Sequence, residues 1–143
     1  MRGVDDLTAK EYLNQAKTLD VLINSKQNEL YKLRLMAESI SSSKFSDKVK
    51  SGGQNQAMSV VDKIIDLQQQ INAEIDRLVD LKAEIHSKIE KVYNPQFIAL
   101  LTDKYLNGYT LEQIGERMGK SYETIRIWHG QALQVFRKEN GMT

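Results

Sequence analysis

Between Leu111 and Gly130 the chain reads LEQIGERMGKSYETIRIWHG, and the residue types there suit contact with phosphates and base edges rather than bond-making. Two short helices that cross steeply need a small residue where their backbones meet, and Gly115 stands at that place. Four residues on, the tight turn needs a positive φ, which Gly119 adopts at little cost. Ile114 and Met118 on the first helix, with Ile125 and Trp128 on the second, fall where such a pair must pack. Thr110 and Ser121 stand as N-caps in front of the two helices. This register is that of a helix-turn-helix. Thr110 and Leu111 open a helix whose free N–H groups suit a phosphate oxygen, and Arg117 and Lys120 flank the turn as further candidate phosphate contacts, with Thr124 beyond it.

Catalytic chemistry has no comparable constellation. His86 and His129 belong to separate expected domains, and there is no cysteine for a nucleophile or a thiolate metal site. No Gly-rich phosphate loop is present, and Asp and Glu are spread along helix surfaces at spacings that favour solvation and i,i+4 pairing with Lys. The expectation is a protein that is not an enzyme and that needs no cofactor or metal. His86, beside Ile85, is expected on a helix surface, and His129 is left without a role.

The helices that position the motif follow from composition and period. Pro95 is the only proline, and Ala, Leu, Ile, Glu, Lys and Gln dominate, so the expected class is all-α. Thr8 with Glu11 three residues on reads as a capping box. From there Leu13, Ala16, Leu19, Ile23, Leu30, Leu33 and Ala37 make a one-sided stripe, interrupted at Lys26 and Gln27, over a helix of about 8–39. Residues 40–55, rich in Ser, Gly and Lys, read as a loop, in which Lys44 is expected to be dispensable. A second helix over about 56–92 places Ile64, Ile71, Leu78, Ile85 and Val92 at intervals of seven, flanked by Leu67, Ile75, Leu81 and Ile89. Such heptads argue for a coiled coil, and the helix would be on the order of 50 Å long. The two helices fold back as an antiparallel hairpin, or pair through one or both seams with another subunit. Asn94-Pro95 breaks the second helix, because the residue before proline avoids the α region. The expected domains are therefore 1–94, a helical hairpin, and 95–143, with helices near 95–106, 111–118 and 122–138.

Charge sets a limit on the motif. The chain carries 20 Lys and Arg against 19 Asp and Glu, a net charge of +1. From Pro95 to Thr143 there are six basic and five acidic residues, so the strong field of a nonspecific nucleic-acid binder is missing. The beginning, MRGVDDLTAKEYL, lacks a secretory pattern, and no run approaches the roughly 20 apolar residues of a membrane span. The expected location is the cytoplasm of a bacterial host, with no membrane partner.

The stretch YTLEQIGERMGKSYETIRIWHGQALQVFRK, Tyr109 to Lys138, resembles the fourth conserved region of bacterial sigma factors, which reads the −35 promoter element. The aromatic-Thr-Leu-Glu start, the glycine turn, the Glu-x-Ile-Arg core and Ala132-Leu133 carry that resemblance. It implies that the start of the second helix lies in the major groove, with Ser121, Tyr122, Glu123, Arg126 and Ile127 facing the bases. Glu123 can accept from a cytosine amino group, and Arg126 can reach a guanine edge or a phosphate. The sequence departs from the pattern at Tyr122, where sigma factors usually have a basic residue, and at Ile127, where they have a polar one. The residues before Pro95 do not resemble the promoter-melting domains, so the expectation is not a complete sigma factor.

With LDVLINSKQNELYKLR and INAEIDRLVDLKAEI ahead of it, the whole chain is similar to small sigma-like, or ArpU/LtrA-like, late transcription regulators of phages and prophages. That resemblance implies activation of phage late genes, double-stranded DNA as ligand, and host RNA polymerase as a partner. A homodimer through the hairpin would place half-sites about 34 Å apart or a multiple of it. Two other readings stay open at this stage. One is a small terminase-like packaging subunit, although the helix-turn-helix there usually comes first. The other is a polymerase-binding protein without a DNA site of its own.

Overall fold

Thr8 opens the first helix as its type requires, its hydroxyl oxygen accepting from the Glu11 N–H at 3.1 Å. The computed structural model describes residues 8–43 and 51–142, and every regular element among them is helical. Helix α1 (Ala9–Leu13) is separated from α2 (Gln15–Ser43) by the single residue Asn14. Helix α3 covers Ser51–Glu90, α4 covers Pro95–Leu101 and runs on into a π-helical turn at Thr102–Leu106, α5 covers Leu111–Met118, and α6 covers Tyr122–Glu139. The all-α expectation holds.

Helix ends depart from the sequence reading in an instructive way. Residues 40–43 and 51–55, expected to be loop, are helical, and only 44–50, including Lys44, lie outside the described residues. Ile40 is half-buried and extends the stripe of Leu33 and Ala37 by one more step, so packing carries α2 past its serines. Adding a residue to an existing helix is far easier than nucleating one, and propensity is a weak prior beside that.

The stripe from Leu13 to Ala37 is buried or half-buried at all seven positions. On α3 the heptad positions Ile71 and Ile85 are buried, as is Val92 just past its end, with Ile64 and Leu78 half-buried. Ile75, expected beside that seam, is instead exposed. Lys26, which interrupts the stripe in sequence, occupies a stripe position in space. Its ammonium pairs with Glu74 at 2.5 Å and donates to Gln70 at 3.2 Å. Together with the hydrogen bond from Arg34 to Gln68 at 3.1 Å, these pairings run in opposite chain directions, so α2 and α3 are antiparallel here. Residues 20–77 form one compact unit.

The second unit comprises residues 1–19 and 78–143, so compactness does not divide the chain at Pro95. Its core collects Tyr12, Leu13 and Ala16, then Ile85, Ile89 and Val92, then Leu100, Leu101, Tyr105, Ile114, Ile125, Ala132 and Phe136. The physical reason is that the three short helices present a larger apolar face than they can cover among themselves. Tyr12 meets Phe136 with ring centroids 6.2 Å apart, and Lys88 places its ammonium 4.3 Å from the Tyr12 ring centroid. Burial, reinforced by Glu84, pushes the Tyr12 phenol up to about 12. The Asn140 side-chain amide donates to Lys88 O at 3.1 Å and to Phe136 O at 3.0 Å, tying the end of α6 to the end of α3.

Between α3 and α4 the chain turns through Tyr93, which holds φ at 66° with its ring exposed. Asn94 then caps α4, its side-chain oxygen accepting from the Gln96 N–H at 2.9 Å, with Pro95 in the first turn. A left-handed conformation at a residue with a Cβ costs about 1–2 kcal/mol. Tyr93→Gly is therefore expected to raise stability by roughly 1 kcal/mol, read as a higher Tm in thermal unfolding. A lower Tm would show that the tyrosine ring contributes more than its backbone costs.

Candidate nucleic-acid interface

Helix α5 starts with a reciprocal cap. Thr110 Oγ1 accepts from the Gln113 N–H at 3.2 Å, and Gln113 Oε1 accepts from the Thr110 N–H at 2.9 Å. Glu112, in the first turn, adds a carboxylate at the same end. Buried Ile114 and half-buried Met118 pin the helix to the core, and Gly119 ends it with φ 67° and ψ 34°. The Lys120 N–H then donates to Gly115 O at 2.9 Å. Ser121 caps α6 by accepting from the Thr124 N–H at 3.2 Å, and Ile125, Ala132 and Phe136 form its buried face. Every cap and packing position expected for the helix-turn-helix is occupied as its residue type demands.

Gly115 is the tightest point of the motif. A Cβ built there would lie 2.8 Å from the backbone oxygen of Lys120 and 3.6 Å from the Ile125 side chain. Neither the turn nor the core can yield freely, so Gly115→Val should cost roughly 3 kcal/mol. At Gly130 on α6 nothing lies within 4 Å of an added Cβ, and Gly130→Ala should gain up to about 1 kcal/mol. Urea unfolding of the two variants measures both signs; equal effects would contradict the close approach.

The face of α6 turned to solvent carries Tyr122, Glu123, Arg126 and Ile127 and continues through Gly130, Gln131 and Gln134. The last three were missed in the sequence, although four-residue steps from Arg126 and Ile127 lead directly to Gly130 and Gln131. Arg126 Nε donates to Glu123 Oε2 at 3.2 Å, and its terminal nitrogen to Oε1 at 2.5 Å. The guanidinium holds the Glu123 carboxyl below the usual carboxylate range, and the carboxylate pushes Arg126 up in turn. Thr124 is half-buried and its hydroxyl accepts from Ser121 Oγ at 2.9 Å, so both hydroxyls are engaged with each other.

Around the turn the cations are also partly engaged. Arg117 lies 4.5 Å from the Tyr109 ring centroid, with its Nε 3.6 Å from Asp103 Oδ2. Lys120 sits 5.7 Å from the Trp128 ring centroid. Both remain exposed. Leu111, half-buried, offers its backbone N–H rather than its side chain. The resulting surface combines aromatic, amide and charged groups with little net charge.

His129 faces inward. Its Nε2 lies 2.6 Å from the Tyr105 hydroxyl and the rings stack at 5.7 Å. Burial, then Lys104 and Lys10, hold its pKa below the usual value, while burial pushes Tyr105 up to about 12. His129 thus packs α6 against the π-helical turn, a contact that no local pattern announces. His86 pairs with Glu90 one helical turn on, at 3.4 Å on an exposed face, as a surface histidine should. Among the described residues no group of His, Asp or Glu could hold a metal ion, and no helix is long and apolar enough to cross a membrane.

Comparison with known proteins finds no match for the chain among curated proteins or among solved structures. A protein-family model does match, over residues 94–138, from the cap of α4 to the end of α6, and its description is sigma-70, region 4. The C-terminal helix-turn-helix of this protein is therefore sigma region 4-like.

Proposed function

We propose that this protein is a sequence-specific DNA-binding transcription regulator that reads the major groove with the exposed face of α6. The observation that carries this reading is a fully capped helix-turn-helix, similar to sigma-70 region 4, that leaves Tyr122, Glu123, Arg126, Ile127 and Gln131 uncovered on one face. Ser121, Tyr122, Glu123, Arg126 and Ile127 approach base edges. Arg117, Lys120, Thr124 and the first turn of α5 from Thr110 and Leu111 approach phosphates. The free N–H groups at that first turn are those of Leu111 and Glu112, because the cap already occupies those of Thr110 and Gln113. Following the resemblance of the whole chain to phage and prophage late regulators, the regulated genes are phage late genes and the partner is host RNA polymerase.

Two observations favour a second reading, in which the same domain binds polymerase without a DNA site. Arg126 is paired with Glu123, and Arg117 lies close to Asp103, so two of the three cations Arg117, Lys120 and Arg126 are matched within the chain. A mobility-shift assay with DNA flanking the protein's own gene separates the two. Retention of one fragment against excess competitor, weakening steeply with salt, supports the regulator. Capture of polymerase with no fragment retained even at low salt selects the second reading.

A further inference from the structure

Helix α3 carries a second stripe, which its own chain leaves largely uncovered. Ile65 and Ile75 are 51% and 37% exposed, with half-buried Gln68 and exposed Asn72 between them. The steps from Ile65 to Gln68, Asn72 and Ile75 are those by which one helix packs along another. This stripe lies roughly a quarter turn from buried Leu67 and Ile71 of the same unit. In sequence the register extends one step each way, to Val61 and Val79, both exposed. Read from either end it runs Val, Ile, amide, amide, Ile, Val, with no charge in a chain that is 27% charged.

We propose that a second copy of this chain covers the stripe, antiparallel, about a two-fold axis that passes between Gln68 and Asn72. In that register Ile65 meets Ile75 of the second copy, and Gln68 meets its Asn72. A two-fold contact requires a surface complementary to itself, and this palindrome meets that requirement. The amides specify the occupant further. Arg34 donates to Gln68 Oε1 at 3.1 Å, and Gln68 Nε2 donates to Asn72 Oδ1 at 3.0 Å. The chain of donors ends on Asn72, whose own NH2 group has no acceptor among the described residues at the centre of the stripe. A purely apolar ligand would strand it, and Arg34, the cation that reaches the stripe, is already engaged by Gln68, whereas a second amide pair both donates and accepts. Asp62 and Asp76 flank the stripe on one side and approach each other between copies. That repulsion is exposed and screened, so the pairing tightens as salt rises, opposite to DNA binding.

The inference gives a register to the oligomerisation role of the hairpin and does not rest on the DNA-binding reading; a dimer without DNA affinity would remove that reading alone. The absence of cysteine makes the test direct. Ile65→Cys and Ile75→Cys chains, mixed and oxidised, are expected to form a disulfide-linked dimer, while either variant alone stays largely unlinked. Sedimentation of the unmodified chain should give about twice 16.4 kDa, and Ile65→Lys should return it to one chain with unchanged helicity by circular dichroism. Monomeric unmodified chain at micromolar concentration, or linkage of either single variant with itself, overturns the proposal.

Discussion

A fragment beginning at Asn94 is expected not to unfold cooperatively, although it contains the entire helix-turn-helix. The core that closes over α4 to α6 includes Leu13, Ile85 and Ile89, each 0% exposed, together with Tyr12, Ala16 and Val92. Burying a large aliphatic side chain contributes about 1.5–3 kcal/mol, so those three alone supply roughly 5–9 kcal/mol. That is comparable to the whole stability of an ordinary domain, about 5–15 kcal/mol. The fragment also loses the ring partner of Phe136 and the carbonyl of Lys88 that receives Asn140. Thermal unfolding followed by circular dichroism should be broad and featureless. A complementary chain in which a short Gly/Ser link replaces residues 20–77 keeps every member of this core and should retain a sharp transition. A sharp transition in the Asn94 fragment would show that the N-terminal residues lie on a finished domain rather than complete it.

Arg126→Ala is expected to lower affinity for a selected DNA site by on the order of tenfold to a hundredfold, the scale of one lost bidentate base contact. Arg126→Lys should restore little, because a point charge on a flexible stem cannot reproduce the planar fork. The Glu123 pair makes a second, opposite expectation available. Both groups are exposed, so the pair opens readily when a base edge competes for the guanidinium. Glu123→Gln removes an acid from the exposed face of α6 and releases Arg126, so binding to unrelated DNA should rise while discrimination falls. Affinities for the selected site and for a scrambled duplex, measured at fixed salt, test both. Equal losses on both duplexes for Arg126→Ala would assign it to a phosphate rather than a base.

Much of this was legible in the sequence, because periodicity and capping act locally. Thr8, Thr110 and Ser121 each cap the helix they precede, and Gly119 takes the positive φ that its turn demands. The buried stripe of α2 falls where a 3.6-residue period puts it. Contacts between residues distant in sequence were not legible. Lys26 reads as a break in the stripe, and its pairing with Gln70 and Glu74, 44 and 48 residues away, explains how a lysine fits there. The membership of Tyr12 and Leu13 in the core around α6 is of the same kind, since no local pattern says which apolar face a short helix will meet. Tyr105 and His129 lie 24 residues apart, and their stacked pair likewise depends on the tertiary fold. At the site itself Ser121, Tyr122, Glu123, Arg126 and Ile127 are exposed, whereas Thr124 is engaged with Ser121, and the exposed face extends to Gln131 and Gln134.

The exposed face of α6 is proposed to read DNA sequence. Selection from a pool of random duplexes, run in parallel on the unmodified chain and on Arg126→Ala, tests it most directly. Enrichment of one motif by the unmodified chain is expected, with loss of preference at a single base-pair position in the variant. No enrichment by the unmodified chain at low salt, or the same motif recovered unchanged by both proteins, would contradict it.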